Sequence, residues 1–304
     1  MCIRDSSSSD LRAIIDEAKT RKLSRKGFNK SAPDDDKPFE GKSMAMIFEK
    51  PSTRTRMSFD IAAKQLGGSS IILNPDGIHY GKGDETLKDT AKVLTEYVDI
   101  VMLRTSSHKN LEEFGKHLDI PIINGLSDKS HPCQIMSDIL TYEETNGLIT
   151  GKTVSWLGDG DNNMSNSLIE AAGKFKFNLK IGCPKKYAPG KKILGWAKKN
   201  KVNLLITQKP DEAVKNSDCV MTDKWVSMND KVNKKTKKKV LKPFQVNKKL
   251  MKKANSNAIF MHCLPVGRGE EVTDEVIDGK QSVVWRQALN RVHAQKSIIK
   301  WCLD

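Results

Sequence analysis

The sequence has no long apolar run: no stretch of its 304 residues approaches the roughly 18 apolar residues that cross a bilayer. Nor does a basic, then apolar, then small-residue order mark a secretory signal. No membrane partner is expected, and the cytoplasm is the expected location. Cysteine is sparse and scattered, at positions 2, 133, 183, 219, 263 and 302, with no C-x-x-C pair. That spacing excludes the common zinc-binding frameworks and a disulfide scaffold, leaving reduced thiols. Acidic residues are the scarcer charge: 37 Asp and Glu against 52 Lys and Arg leave a net charge of +15. Such an excess raises a basic nucleic-acid-binding protein as a rival reading. The excess, however, lies in runs such as KKTKKKVLK and NKKLMKK, which hold almost no arginine and have only Phe244 as a neighbouring aromatic. Bases stack on aromatics and arginine planes, so solvated helix faces are the better reading and no nucleic acid is expected. The opening MCIRDSSSSD has no apolar period, and its first six residues read as a sequencing or start-site scar.

What is present is a strict alternation. SMAMIF, SSIIL, DIVMLR, IPIIN, TVSWLG, NLKIGC, VNLLIT, DCVMT and AIFMHCLP read as short apolar, β-branched strands separated by helix-length stretches. Alternation of this kind predicts an α/β protein with parallel sheets. A polar, glycine-containing stretch at residues 143–152 suggests a boundary between two halves, and the final ALNRVHAQKSIIKWCL reads as a helix that returns to the first. The expected architecture is two doubly wound parallel-sheet domains joined by interdomain helices, residues 10–142 completed by the helix 287–304, and residues 143–286.

Ligands of open α/β sheets bind beyond the carboxyl ends of the strands, so the residues that follow each strand are the candidates for chemistry. After MAMIF comes PSTRTRMSF, which places Ser52, Thr53, Arg54, Thr55 and Arg56 where a helix begins. Unpaired N–H groups, the positive end of the helix dipole and arginine forks together make an anion site. After DIVML stands Arg104, which can join that group. HPCQ opens a helix with His131 and Gln134, a donor to a carbonyl oxygen and a donor–acceptor amide, suited to a neutral polar group such as a carbamoyl. GDGDNN begins like a nucleotide turn but lacks the third glycine of G-x-G-x-x-G, so the dinucleotide fingerprint fails. It leaves Asn162 and Asn163 as paired amides. Asp223 could hold an ammonium, with Ser227 and Met228 one turn on. Cys263 at the tip of AIFMHC could be a nucleophile, a polar contact or a small buried hydrophobe.

Taken in order, STRTR, HPCQ, DNN, D-x-x-x-SM and HCLP, with Arg291 in a terminal N-R pair, closely resemble the ornithine branch of the aspartate/ornithine carbamoyltransferase family. The likeness runs from about Asp10 to the end. It implies transfer of the carbamoyl group of carbamoyl phosphate to the δ-amine of L-ornithine, without metal or cofactor, in a homotrimer with shared active sites. By the matched motifs, Ser52, Thr53, Arg54 and Thr55 would hold the phosphate, with Arg104 bridging phosphate and carbonyl. His131, Gln134, Cys263, Leu264 and Arg291 would hold the carbamoyl end. Asn162 and Asn163, with Asp223, Ser227 and Met228, would hold ornithine. Arg104, His131, Asp223 and Cys263 are the expected catalytic groups. The loop GIHYGKGDET offers His79 to a neighbouring subunit's phosphate. Relatives that use aspartate share the phosphate motif but would call for extra basic residues at the amine site, and a putrescine enzyme would call for changes around DKWVSM.

Overall fold

The computed structural model of the chain describes residues 3–74, 85–226 and 233–304. They fall into two compact units, residues 1–140 with 289–304, and residues 141–288.

The first unit opens with α1 (Ser8–Ser24), started by a capping box in which Ser7 and Asp10 satisfy each other's backbone N–H. Strands β1 (Ser43–Phe48), β2 (Ser69–Leu73), β3 (Ile100–Arg104) and β4 (Ile122–Leu126) then alternate with α2 (Thr53–Gln65), α3 (Leu87–Tyr97) and α4 (His108–Gly115). Helix α5 (Pro132–Asn146) carries the chain into the second unit. That unit contains β5 (Thr153–Leu157), α6 (Asn163–Phe175), β6 (Asn178–Gly182), α7 (Lys191–Lys199), β7 (Leu204–Thr207), α8 (Pro210–Val214) and β8 (Cys219–Thr222). It continues through α9 (Lys234–Leu241), α10 (Lys248–Met251), β9 (Ile259–His262) and α11 (Asp274–Ile277), and α12 (Val284–Leu303) returns the chain to the first unit.

Among the described residues every strand pair is parallel, in the orders β2-β1-β3-β4 and β7-β6-β5-β8-β9. Among the described residues, nine strands in two parallel sheets agree with the alternation read from sequence. Helices cover both faces of such sheets, which is why Met44 to Phe48 are all buried rather than alternately so. Ala45, Ile47, Val101, Leu103 and Phe114 pack one core; Leu157, Val220, Phe244, Phe260 and Ile277 pack the other.

The strand order reverses between β1 and β3 in the first sheet and between β5 and β8 in the second. Loops leaving neighbouring strands diverge at such a switch point and open a crevice beyond the carboxyl ends. Register sets those ends level: Phe48 pairs with Arg104, Leu157 with Thr222, and Thr222 with His262. The residues that follow these strands are therefore assembled by topology.

Ile3 is buried, 1% exposed. One expectation needs correction. The lysine-rich run does form a helix, α9, but its face is not wholly solvated, since Lys237 is 4% exposed. Cys133, Cys183, Cys219, Cys263 and Cys302 are not in disulfides.

Candidate active site

In the first unit, the site is built around the head of α2. Ser52 leaves the strand direction in an extended conformation and caps the helix, its Oγ accepting from the Thr55 N–H at 3.3 Å. The first turn carries no acidic residue, so the positive end of the dipole is not neutralised. Thr55 is fully buried, and its Oγ1 accepts from Arg104 Nη1 at 3.2 Å and from Arg291 Nη2 at 2.8 Å. Both hydroxyl lone pairs are thereby used, and the hydroxyl hydrogen remains a donor. Arg291 also donates from Nη1 to Gln134 Oε1 at 3.1 Å, and Gln134 Nε2 donates to Asp138 Oδ1 at 2.9 Å. The Gln134 amide is thus oriented, with its oxygen toward the cradle and one lone pair left for an N–H of a ligand. Arg56 turns away, donating to Asn74 Oδ1 at 2.7 Å while its guanidinium lies over the Phe48 ring.

His131 is 5% exposed at the start of α5. Burial, and then the positive charges of Arg291, Arg104 and Arg54, push its pKa well below the ordinary histidine value. The ring is neutral, so it offers one N–H without adding charge to a cradle already holding three arginines. Ser52, Thr55, Arg104, Gln134 and Arg291 are one bonded group, with Arg54 and His131 in its field.

In the second unit, the chain leaves β5 through Gly158, whose φ of +119° suits glycine, and a Cβ there would stand 3.0 Å from Trp225 Nε1. Asn162 caps α6: its Oδ1 accepts from the Ser165 N–H at 2.8 Å, and its Nδ2 donates to the Asp159 carbonyl at 3.2 Å. Both ends of that amide are committed within the loop. Asn163, the first residue of α6, is half-buried. Asp223 follows β8 and Cys263 follows β9; the thiol donates to Asp223 Oδ1 at 3.1 Å.

Behind Cys263 lies a pair that strand-end reading missed. His262 and Glu271 have fully buried side chains, 3.2 Å apart. The Leu264 N–H donates to His262 Nδ1 at 2.9 Å, so the proton sits on Nε2 and is donated to Glu271 Oε1. Glu271 Oε1 also accepts from the Gly267 N–H. The imidazole therefore ties Leu264 to the buried carboxylate and holds the loop bearing Cys263. Adjacency to Cys263 was the available signal for His262; Glu271, eight residues further on, had none. Asp138 was missed as well, although a Gln134–Asp138 pair four apart on a helix is readable from spacing.

Ligand atoms of Asp223, His262 and Cys263 lie within 4.8 Å of one another, which is close enough for a divalent ion. Both ring nitrogens of His262 are already hydrogen-bonded, so an ion there would have to displace one of those bonds. His79, Ser227 and Met228 lie outside the described residues.

Comparison with known proteins accounts for both halves. Residues 1–144 match the aspartate/ornithine carbamoyltransferase carbamoyl-P binding domain, and residues 150–302 match the Asp/Orn binding domain of the same family. The ornithine carbamoyltransferase of Brucella ovis is 50% identical over 297 residues, covering 98% of this chain and 93% of that protein. That of Rhizobium meliloti is 50% identical over 296 residues, covering 97% and 95%. Among solved structures, ornithine carbamoyltransferase from Pyrococcus furiosus superposes with a TM-score of 0.91 at 42% identity, covering 98% of this chain and 94% of its own. The anabolic enzyme of Campylobacter jejuni gives 0.89 at 35% identity, covering 99% and 97%. With each unit matched over nearly its whole length, the chain belongs to the aspartate/ornithine carbamoyltransferase family.

Proposed function

We propose that the protein transfers the carbamoyl group of carbamoyl phosphate to the δ-amine of L-ornithine, giving L-citrulline and phosphate. The observation that carries this reading is Thr55, held by Arg104 and Arg291 at the head of α2. Donors preorganised on a helix N-terminus suit a phosphate whose leaving charge must be stabilised, commonly the largest contribution to catalysis. The unit made of residues 10–142 and the helix 287–304 would take carbamoyl phosphate, and residues 143–286 would take ornithine. Ser52, Thr53, Arg54 and Thr55 bind the phosphate, and Arg104 reaches both phosphate and carbonyl. Neutral His131 donates to the carbonyl oxygen, and the Gln134 oxygen accepts from the carbamoyl N–H. The neutral amine attacks the carbonyl carbon, charge grows on that oxygen, the C–O bond to phosphate breaks, and the proton shed by the attacking nitrogen leaves with the phosphate. Phosphate is already a good leaving group, so the step requires neither metal nor redox cofactor.

Asp223, bonded by the Cys263 thiol, favours a cationic amine over aspartate. An ammonium donating to this carboxylate would be oriented before it loses its proton. Asn163, first in α6 beside the capping Asn162, contacts ornithine. We further propose a homotrimer with shared sites, working in the cytoplasm in arginine biosynthesis or in the catabolic arginine deiminase route. Met57, Ile71, Ile72, Val93 and Tyr97, on α2, β2 and α3 of one unit, are 38–75% exposed in the single chain and suit a subunit contact.

The test is product formation from carbamoyl phosphate with L-ornithine, L-aspartate or putrescine offered in parallel. Citrulline from ornithine, with little turnover of the other two, is the expected outcome. Turnover only with aspartate or putrescine would overturn the roles given to Asp223 and Asn163 while sparing the phosphate cradle.

A further inference from the structure

Helix α9 is the segment that the proposed chemistry leaves unexplained. Its eight residues, KKTKKKVL, start from Asn233, whose Oδ1 accepts from the N–H groups of Lys235 and Thr236. Lys234, Lys235 and Lys239 point to solvent, as a lysine run should. Lys237 does not. Its Nζ lies 2.6 Å from Asp159 Oδ2, with side chains 5% and 8% exposed, and 5.4 Å from the centre of the Tyr187 ring. One turn on, Leu241 is fully buried in a cluster with Tyr187, Trp225 and Val226.

Asp159 is the hub of the turn after β5. Its carbonyl accepts from Trp156 Nε1 at 2.8 Å and from Asn162 Nδ2 at 3.2 Å, and its Oδ1 accepts from the Asp161 N–H at 2.9 Å. The next residue is fixed from the opposite side, the Gly160 N–H donating to the Tyr187 carbonyl at 2.9 Å. Trp225, in the same cluster, lies two residues beyond Asp223. Lys237 thus ties the loop after β5, which carries Asn162, to Tyr187 after β6, and Leu241 on the same helix packs in the cluster with Trp225 of the loop after β8, which carries Asp223. A buried ion pair adds little stability over apolar residues of the same volume, whereas its geometry is specific. Position is therefore what this pair supplies.

We propose that Lys237 is a positioning residue for the amine substrate: through Asp159 it sets the turn that presents the head of α6, with Asn163, relative to Asp223. The inference rests on the reading of the second unit as the amine site.

Three proteins test it: the parent, K237M, and the double variant K237M/D159N, which removes both charges and so leaves no unpaired buried carboxylate. Steady-state kinetics with each substrate varied are combined with thermal melting. The expected result is a KM for ornithine raised roughly tenfold or more in both variants, since a misplacement of about 1 Å can cost a hundredfold. The KM for carbamoyl phosphate should stay within about twofold, and the melting temperature should recover in the double variant without the ornithine KM recovering. If K237M fails to fold, the double variant decides alone. Ornithine KM values within about twofold of the parent, or parallel rises in both KM values, would overturn the proposal. Should the parent turn over another amine instead, the functional reading fails; the same comparison run with that amine still tests Lys237.

Discussion

Replacing Thr55 with valine should disable the phosphate cradle while leaving its shape intact. Valine matches threonine in outline, and the Ser52 cap is unaffected because it uses the Thr55 backbone N–H. What disappears is the one oxygen that receives both Arg104 Nη1 and Arg291 Nη2. A hydrogen bond to a charged group contributes about 1.5–3 kcal/mol, and an orphaned buried donor loses that in full. Arg291 is 4% exposed, so water cannot replace the acceptor; Arg104 is only half-buried and can recover part of its share. The stability loss should therefore be about 2–4 kcal/mol, measured by urea unfolding. Two arginines without a common anchor no longer converge on one phosphate, and kcat/KM for carbamoyl phosphate should fall about a hundredfold, or about 2.7 kcal/mol of transition-state stabilisation. Thr55→Ser keeps the oxygen and should stay within about tenfold of the parent. A Thr55→Val enzyme within about threefold of the parent, or a Thr55→Ser enzyme as impaired as Thr55→Val, would refute the idea that this hydroxyl organises the cradle.

Asp34→Asn should destabilise the first unit by about 3–5 kcal/mol, because the side chain, 7% exposed, pairs with Arg21 at 3.0 Å, Arg25 at 2.7 Å and Lys296 at 2.6 Å. Adding Lys296→Met should restore part of the loss on chemical denaturation by removing a buried charge left without its carboxylate, and no difference between the single and double variants would count against that account. Stability should also fall in mild acid. Burial first, then neighbouring cations, lower His293 to about 3 and hold His131 well below its ordinary value, so both stay neutral when folded. Below about pH 6.5 only the unfolded chain takes up these two protons, so stability is full above that pH and drops by roughly 1.4 kcal/mol per histidine per pH unit beneath it. Urea midpoints that are flat between pH 7.5 and pH 5 would contradict this.

The strands were legible because parallel strands covered on both faces are uniformly apolar, and glycine, proline and polar clusters punctuate them. Strand ends were legible for the same reason, and most candidate site residues sit there. Contacts spanning the chain were another matter. Arg291 reaches Thr55 across 236 positions, and no local pattern marks that arginine out from the others. Its role was expected only through resemblance to a family. Glu271 was invisible because a glutamate in GRGEEV has the composition of a solvated loop, and only the fold brings it to His262. The Asp34 cluster was missed likewise: DDDK reads as surface, yet Asp34 is 6% exposed.

Lys237 shows why charge runs mislead in one particular direction. Composition reports the average of a run, and the average of KKTKKKVL is correctly a solvated helix. A helix eight residues long that packs at all must turn some residue inward about every fourth position. Leu241 was the apolar mark of the inward face, and Lys237 stands four residues before it, on the same side. A buried lysine requires an anion, and the turn after β5 supplies Asp159. The buried member of a lysine run is thus found by counting back from its nearest buried apolar residue, and the carboxylate it meets identifies which loop the helix holds in place.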